Sequence, residues 1–322
     1  MNTDDKLPTR RLGRSGPEVP ILALGSWNTW DRMPAAEAVA MIERACDAGA
    51  GFFDVAYYNT GPHAEGSRTD LLFAEALRSS GRDRDDVVLC GKLWLWDYPR
   101  ASFSDQLHES LERIGQQRLD TVVVGDYLGE PDVEGIVADV AALEQQGLIG
   151  SWGINNWRIE HTRRALDFAR REGLAPPVFA QLKYSVARRS MAEGREYGDL
   201  FASGELGLQA SDIFEGGILA GRLRPQRKIG ADVGSIREQI AAIHPAIARR
   251  AAEFDATAAQ LSLAFVLAHS AVGNVLFGAS RRSQLDEGIA AVRLFERIGA
   301  ARLGTLLADL QVDTSVRSDG RW

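Results

Sequence analysis

Eight times along this chain a short run of branched, apolar residues gives way to a longer run whose apolar positions recur at helical spacing. The pairs are PILALGSW with AAEAVAMIERACDAG, GFFDVA with TDLLFAEALRSSG, VVLCGK with SFSDQLHESLERIG, and DTVVVGD with VEGIVADVAALEQQG. They continue as GSWGINN with IEHTRRALDFARREG, PVFAQLKYS with a weaker helix near Glu193, LGLQASDIF with paired helices over Ile236 to Phe254 and Ala258 to His269, and NVLFGAS with QLDEGIAAV. Continuously apolar strands joined by crossover helices make a parallel sheet buried on both faces. Eight such units predict one closed (β/α)8 barrel of the TIM type spanning residues 1–322, a size that such barrels reach as a single domain. An open doubly wound sheet is the competing arrangement, but its first strand should lead into a glycine cradle, and ALGSWNTW carries aromatics there instead. Residues 1–18 read as an N-terminal lead-in, 222–235 as a loop and 312–322 as a C-terminal tail.

Charge narrows the function classes. A formal net charge of −7 disfavours a nucleic-acid or membrane surface, and the basic cluster from Arg222 to Arg227 reads as a solvated loop. Cys46 and Cys90 fall in a predicted helix and a predicted strand, as buried reduced thiols would, without zinc-binding spacing. MNTDDKLPTRRLG has no signal-like apolar core, and no run is long enough to span a bilayer, so a cytoplasmic protein acting on a small molecule is expected. The oligomeric state is not legible.

In a barrel of this kind the residues just after each strand line one mouth. They include Trp27, Trp30, Asp54, Tyr57, Tyr58, Lys92, Trp94, Trp96, Gly125, Asp126, Tyr127, Asn155, Asn156, Gln181, Ser211, Asp212, Ser280 and Arg281. Several aromatics at one mouth suit a flat or apolar ligand, with Trp27, Trp94, Gly125, Asp126 and Tyr127 as candidate substrate contacts. A lysine ending an apolar strand needs a partner, and Asp54 on the neighbouring strand is the expected one. The pair is either purely structural or it tunes Tyr58, since a phenol of reference pKa about 10 needs a nearby cation to donate a proton near neutrality.

From RRLGRSGPEVPILALGSW to QLDEGIAAV the chain resembles the aldo-keto reductase superfamily. The resemblance is carried by FFDVAYY, VVLCGKLW, HESLERIGQQRLD, GLIGSWGINNW, FAQLKYS, GGILAGRL and AAEFDATAAQLSLAFVLAHSAVGNVLFGAS. It implies an NADP-dependent oxidoreductase in which Tyr58 donates a proton to a carbonyl oxygen, Lys92 tunes it and Asp54 holds Lys92. Asn155, Asn156 and Gln181 would hold the nicotinamide carboxamide, and Ser211 occupies the place of the stacking residue. Ser280 and Arg281, with Gln284 and Glu287 and with Arg282 beside them, would meet the adenosine phosphate at a helix N-terminus. The plain alternative is a helix cap flanked by surface arginines.

The chain departs from that family in four places. The expected histidine is Gly125, and no histidine shares its strand end, although His63 could reach back over the pocket. The fifth residue after Asp54 is Asn59, so the acid is Tyr58 by a one-residue shift, or Tyr57, or is lost. Ser211 stands where an aromatic should stack, followed by the acidic Asp212 and Glu215, which weaken dinucleotide binding unless they turn away or meet a cation. Glu287-Gly288 lacks an expected amide. An oxidoreductase acting on an unusual carbonyl, imine or sugar-like substrate, with NADPH preferred but weakly bound, is the leading expectation. A redox-neutral lyase, dehydratase or isomerase is the alternative, and a non-catalytic subunit resembling those that accompany some channels is a third.

Overall fold

The computed structural model describes residues 6–27, 29–59, 67–125, 129–223 and 235–319. Its centre is a closed barrel of eight parallel strands: β3 (Leu22–Leu24), β4 (Phe52–Asp54), β5 (Val88–Trp94), β6 (Thr121–Gly125), β7 (Trp152–Asn155), β8 (Phe179–Lys183), β9 (Gly207–Ser211) and β10 (Val272–Phe277). Neighbours follow chain order, and β10 closes on β3 through Val275↔Leu22 to Phe277↔Leu24. The (β/α)8 expectation is met element by element. The helices are α1 (Ala35–Ala48), α2 (Thr69–Ser80), α3 (Phe103–Ile114), α4 (Val133–Gln145), α5 (Ile159–Glu172), α6 (Arg195–Ser203), α7 (Ile236–Ala252), α8 (Ala258–Leu267), α9 (Arg282–Ile298) and α10 (Ala300–Leu306). The turn chemistry is local, as α3 illustrates. Ser102 caps its start by accepting from the Asp105 N–H at 3.1 Å, and Gly115 ends it at φ 66°, a conformation that costs glycine least.

The period-2 alternation sorts side chains into two cores. Leu22, Leu24, Phe53, Leu89, Leu93, Val122, Val124, Trp152, Ile154, Ala180 and Leu208 face outward into a layer shared with the helices. Ala23, Phe52, Cys90, Val123 and Phe179 face inward and fill the barrel. Toward the carboxyl ends of the strands this inner set turns polar, with Asp54, Lys92, Asn155, Gln181 and Gln209 continuing the same inward faces.

An antiparallel hairpin closes the opposite end: β1 (Thr9–Arg11) pairs with β2 (Glu18–Pro20). It lies within and just beyond the stretch read as a lead-in, and three-residue strands leave too short a pattern to detect. Leu12 and Val19 plug the inner core, while Arg10 ties to the carbonyls of Leu267 and Val272 at 3.2 and 2.9 Å. At the other end of the chain, Asp313 accepts from the N–H groups of Arg189 and Ser190, both at 2.9 Å, so the described part of the tail is fastened to the loop after β8.

The plug fits because Gly207, the first residue of β9, has no side chain. A Cβ there would lie 2.4 Å from the Gly13 nitrogen and 2.8 Å from the Leu12 carbonyl carbon. Gly207→Ala must therefore lift the hairpin, and it should destabilise the barrel by about 1–3 kcal/mol, the usual cost of overpacking, as read by chemical denaturation. An unchanged midpoint would show that the plug is not seated on this strand.

Candidate active site

Lys92 stands at the mouth of the barrel on β5, between the carboxylate of β4 and the amides of β7 and β8. Its ammonium donates to Gln181 Oε1 at 3.3 Å and lies 5.0 Å from the centre of the Trp94 ring, a cation–π contact from the same face of the strand. Asp54 acts on it through space rather than as its closest hydrogen-bond partner. Burial pushes the Asp54 carboxyl above its ordinary value, and the Lys92 charge and the Ala56 N–H, 3.1 Å from Oδ1, pull it back. Burial likewise raises the Cys90 thiol, so the cysteine beside this pair stays protonated.

The two tyrosines left open by the sequence go to different places. Tyr57 carries the Arg113 guanidinium 3.7 Å from its ring centre, and Arg113 is fixed in turn by a bidentate pair, 2.6 and 2.9 Å, with the fully buried Asp70 of α2. That clamp draws Tyr57 toward the helices α2 and α3. Tyr58, 5 % exposed, packs with Ala56 and Trp94 in a cluster that Trp27 and Trp96 complete, its ring 5.6 Å from that of Trp94. Trp94 therefore touches both the phenol ring and the ammonium. Its indole N–H is held at 2.8 Å by the Tyr57 carbonyl, so the clamp on Tyr57 also orients the wall behind Tyr58.

Gly125 ends β6 beside Lys92. A Cβ there would sit 3.2 Å from Lys92 Cε and 3.6 Å from Asn155 Cβ, so the ammonium's stem uses the space a larger residue would take. Asn155 and Gln181 pair in register at the ends of β7 and β8, both buried. Asn156, at φ 52°, spends its side-chain oxygen on the Lys183 N–H at 3.2 Å and bridges the same two strands. Trp30 lies elsewhere: it is 1 % exposed, edge-on to Phe53 and Phe73 in the outer core. Asp126, Tyr127 and His63 lie outside the described residues.

Ser211 ends β9 and is half-buried. The acidic stretch after it is partly neutralised, because Glu215 turns inward and meets Arg188. Arg188 Nε donates to Glu215 Oε2 at 2.8 Å, Ser185 Oγ donates to Oε1 at 2.7 Å, and both charged side chains are 3 % exposed. Burial still raises the Glu215 carboxyl above its usual range, against the pull of Arg188. Asp212 and Glu215 both sit at positive φ, 52° and 49°, in a tight turn. Arg188 is the cation that the sequence reading required but did not identify.

A second region opens at the start of α9, a cleft of about 820 Å³ lined by Arg32, Glu37, Arg44, Ser280, Arg281 and Arg282 among others. Gln284 accepts from the Ser280 N–H at 2.8 Å, so its side chain braces the turn. Arg281 is exposed at the N-cap. Arg282 is partly spoken for: its N–H donates to Glu37 Oε1 at 3.0 Å, which with its charge holds the Glu37 carboxyl below the ordinary carboxylate range. Glu287 is half-buried, and Gly288 lets α9 approach β10, since a Cβ there would be 2.8 Å from Phe277 Cζ. Among the described residues no helix is long and apolar enough to cross a membrane, and no cluster of three or more acidic, His or Cys side chains could hold a metal ion.

Comparison with known proteins agrees with this geometry. The model of the aldo/keto reductase family matches residues 21–297. Two relatives are named as probable voltage-gated potassium channel beta subunits. One, from Oryza sativa subsp. japonica, is 28% identical over 311 residues, covering 88% of this chain and 90% of that protein; the other, from Arabidopsis thaliana, is 26% identical over 312 residues with the same coverage. A third, from Schizosaccharomyces pombe and similarly named, is 24% identical over 322 residues, covering 91% of this chain and 90% of that protein.

The buried pair after β9 makes a quantitative expectation. Arg188→Met leaves the Glu215 carboxylate buried without its cation and should cost about 3–5 kcal/mol, whereas Arg188→Met with Glu215→Leu should recover most of that loss. Thermal unfolding of the three proteins reads both effects, and a single change that leaves the midpoint in place would mean that Glu215 is solvated.

Proposed function

We propose that this chain, which belongs to the aldo/keto reductase family, is an NADP-dependent oxidoreductase that reduces a carbonyl, imine or sugar-like substrate with Tyr58 as its proton donor. The observation that carries the reading is the convergence on Trp94: the Tyr58 ring packs against one indole, the Lys92 ammonium lies over it, and Asp54 stands on the next strand. A phenol beside a half-buried cation is the arrangement that proton donation near neutrality needs.

The residues fit a dinucleotide at both ends. Asn155 and Gln181 stand in register at the mouth, where a carboxamide would be held, and Arg281 with its neighbours offers positive charge to a phosphate at the start of α9. The nicotinamide, when bound, supplies the hydride. Tyr58 would give its proton to the carbonyl oxygen of the substrate as that oxygen gains the electron pair of the C=O bond. Lys92 stabilises the phenolate that remains, and water returns the proton. Tyr57, clamped under Arg113, keeps the indole of Trp94 in place and takes no part in the proton transfer.

Gly125 supplies no orienting imidazole and the Lys92 stem passes beside it, so the substrate is expected to bring its own contact to that strand end. A second reading is favoured by the relatives named as channel beta subunits: a non-catalytic ligand-binding or partner-binding subunit. Redox-neutral proton transfer by the same three groups is the remaining alternative.

Titration calorimetry separates the redox-neutral reading from the other two. NADPH should bind more tightly than NADH through Arg281, yet weakly for such a barrel, because Ser211 offers no stacking face and Glu37 already occupies an N–H of α9. Equal affinity would remove the phosphate contact, and no binding of either would favour the redox-neutral reading. In a steady-state NADPH assay on simple aldehydes, Gly125→His should show no gain over wild type, since the new side chain starts 3.2 Å from Lys92 Cε. A gain of about tenfold or more, the contribution of a restored donor, would identify a conventional carbonyl reductase that merely tolerates the glycine.

A further inference from the structure

Behind Lys92 a line of amides crosses the barrel interior. Gln181 Nε2 donates to Gln209 Oε1 at 2.6 Å, Gln209 Nε2 donates to Asn274 Oδ1 at 3.0 Å, and Asn274 Nδ2 donates to the Pro20 carbonyl at 2.5 Å. With Lys92 donating to Gln181 Oε1, four consecutive hydrogen bonds run from the mouth on β5 through β8, β9 and β10 to the end of β2. Gln209 and Asn274 are fully buried, and Gln181 is 4 % exposed. Three buried amides in an apolar barrel would be costly if unsatisfied, so their retention calls for a reason.

The two ends of the line fix its direction. An ammonium only donates and a peptide carbonyl only accepts, so the three amides between them are satisfied together only head to tail, each carbonyl pointing toward Lys92. A flip of any one would set N–H against N–H or oxygen against oxygen. The strand register supports the same alignment. β10 slips between Val272↔Leu208 and Asn274↔Gln209, a bulge that brings Asn274 level with Gln209. The dipoles then add, and each bond polarises the next toward the cation.

We propose that Gln209 and Asn274 are positioning residues for Lys92: the amide line anchored on Pro20 keeps the Gln181 carbonyl turned to the ammonium and holds Lys92 as a cation at the mouth with a neutral direct partner. A carboxylate in direct contact would cancel the charge felt by Tyr58; a polarised amide supports the charge and leaves its field intact. The consequence for turnover rests on the reading of Tyr58 as proton donor, but the positioning of Lys92 does not. The titratable groups placed around Lys92 are Asp54 on β4, Cys90 on its own strand and Tyr58 beside Trp94, and none of them lies on β9 or β10.

Lysine labelled with ¹³C at Cε reads this directly in the full chain without cofactor or substrate, because the sequence has four lysines, Lys6, Lys92, Lys183 and Lys228, and Lys92→Met assigns the signal. In Gln209→Leu the Gln181 amide is free to turn, and the Lys92 signal should titrate at a lower pH, the neutral amine becoming about three- to tenfold more populated at a given pH. Gln209→Glu keeps the acceptor for the Gln181 N–H, at the loss of the donation to Asn274, and should keep the midpoint at or above that of wild type, a rescue that mere packing would not produce. Asn274→Ser, milder should Gln209→Leu not fold, should move the signal in the same direction by less. A Lys92 midpoint unmoved in both Gln209→Leu and Asn274→Ser, or lowered equally by Gln209→Glu, would overturn the proposal. Loss of aldehyde turnover with an unmoved Lys92 signal would likewise count against it, whereas a moved signal in a protein that reduces no aldehyde would support the positioning and sink only the reductase reading.

Discussion

A half-buried ammonium stands among apolar strands at the mouth of this barrel, and the arrangement around it follows from how its desolvation is met. Lys92 is offered a carboxylate on the adjacent strand, an indole face on its own strand, and a carbonyl from across the barrel, but the direct hydrogen bond goes to the neutral amide. That choice propagates. Gln181 needs an acceptor for its N–H, Gln209 supplies it and then needs one of its own, and the line ends only at a backbone carbonyl beneath the first barrel strand. The space left by Gly125 belongs to the same solution, since it is where the lysine stem passes. The glycine at the end of β6 and the buried amides of β8, β9 and β10 thus meet around one charge.

The phenol is positioned by a second, independent chain of contacts. Asp70 on α2 is buried and holds Arg113 of α3, Arg113 stacks on Tyr57, and the Tyr57 carbonyl holds the Trp94 indole against which Tyr58 packs. The site is therefore set partly from the helices outside the barrel and partly from the amides within it. Trp94 is the point at which the two meet, touching Lys92 on one side and Tyr58 on the other.

The fold was legible because its signal is repetitive: eight changes of period survive errors at any single boundary, and Asp54, Lys92, Asn155 and Gln181 could be placed at one mouth from strand ends alone. Short or unpatterned elements were not legible, including the hairpin β1–β2 and α10, which are three to seven residues long. Contacts between distant segments were also hidden. Nothing in the spacing of Arg188 and Glu215 announces an ion pair, and Glu37 meets Arg282 from 245 positions away. Gln209 and Asn274 did leave a trace, since each interrupts an otherwise apolar strand at an inward position, LGLQAS and VGNVLF. A polar residue at such a place asks for a partner, and the partners here are each other. The different surroundings of Tyr57 and Tyr58 could not be read from sequence because they depend on the Arg113 clamp, which is tertiary.

The account's central claim is that Tyr58, and not its neighbour, delivers the proton that accompanies hydride transfer. It is tested most directly by following deuterium from NADPH labelled at the transferring position into the alcohol formed from an aldehyde, by mass spectrometry, in Tyr58→Phe and Tyr57→Phe. Deuterium should appear at the carbinol carbon with wild type, persist within a few fold in Tyr57→Phe, and fall by about two to four powers of ten in Tyr58→Phe, the usual contribution of a general acid. Transfer that survives Tyr58→Phe and is abolished by Tyr57→Phe would contradict it.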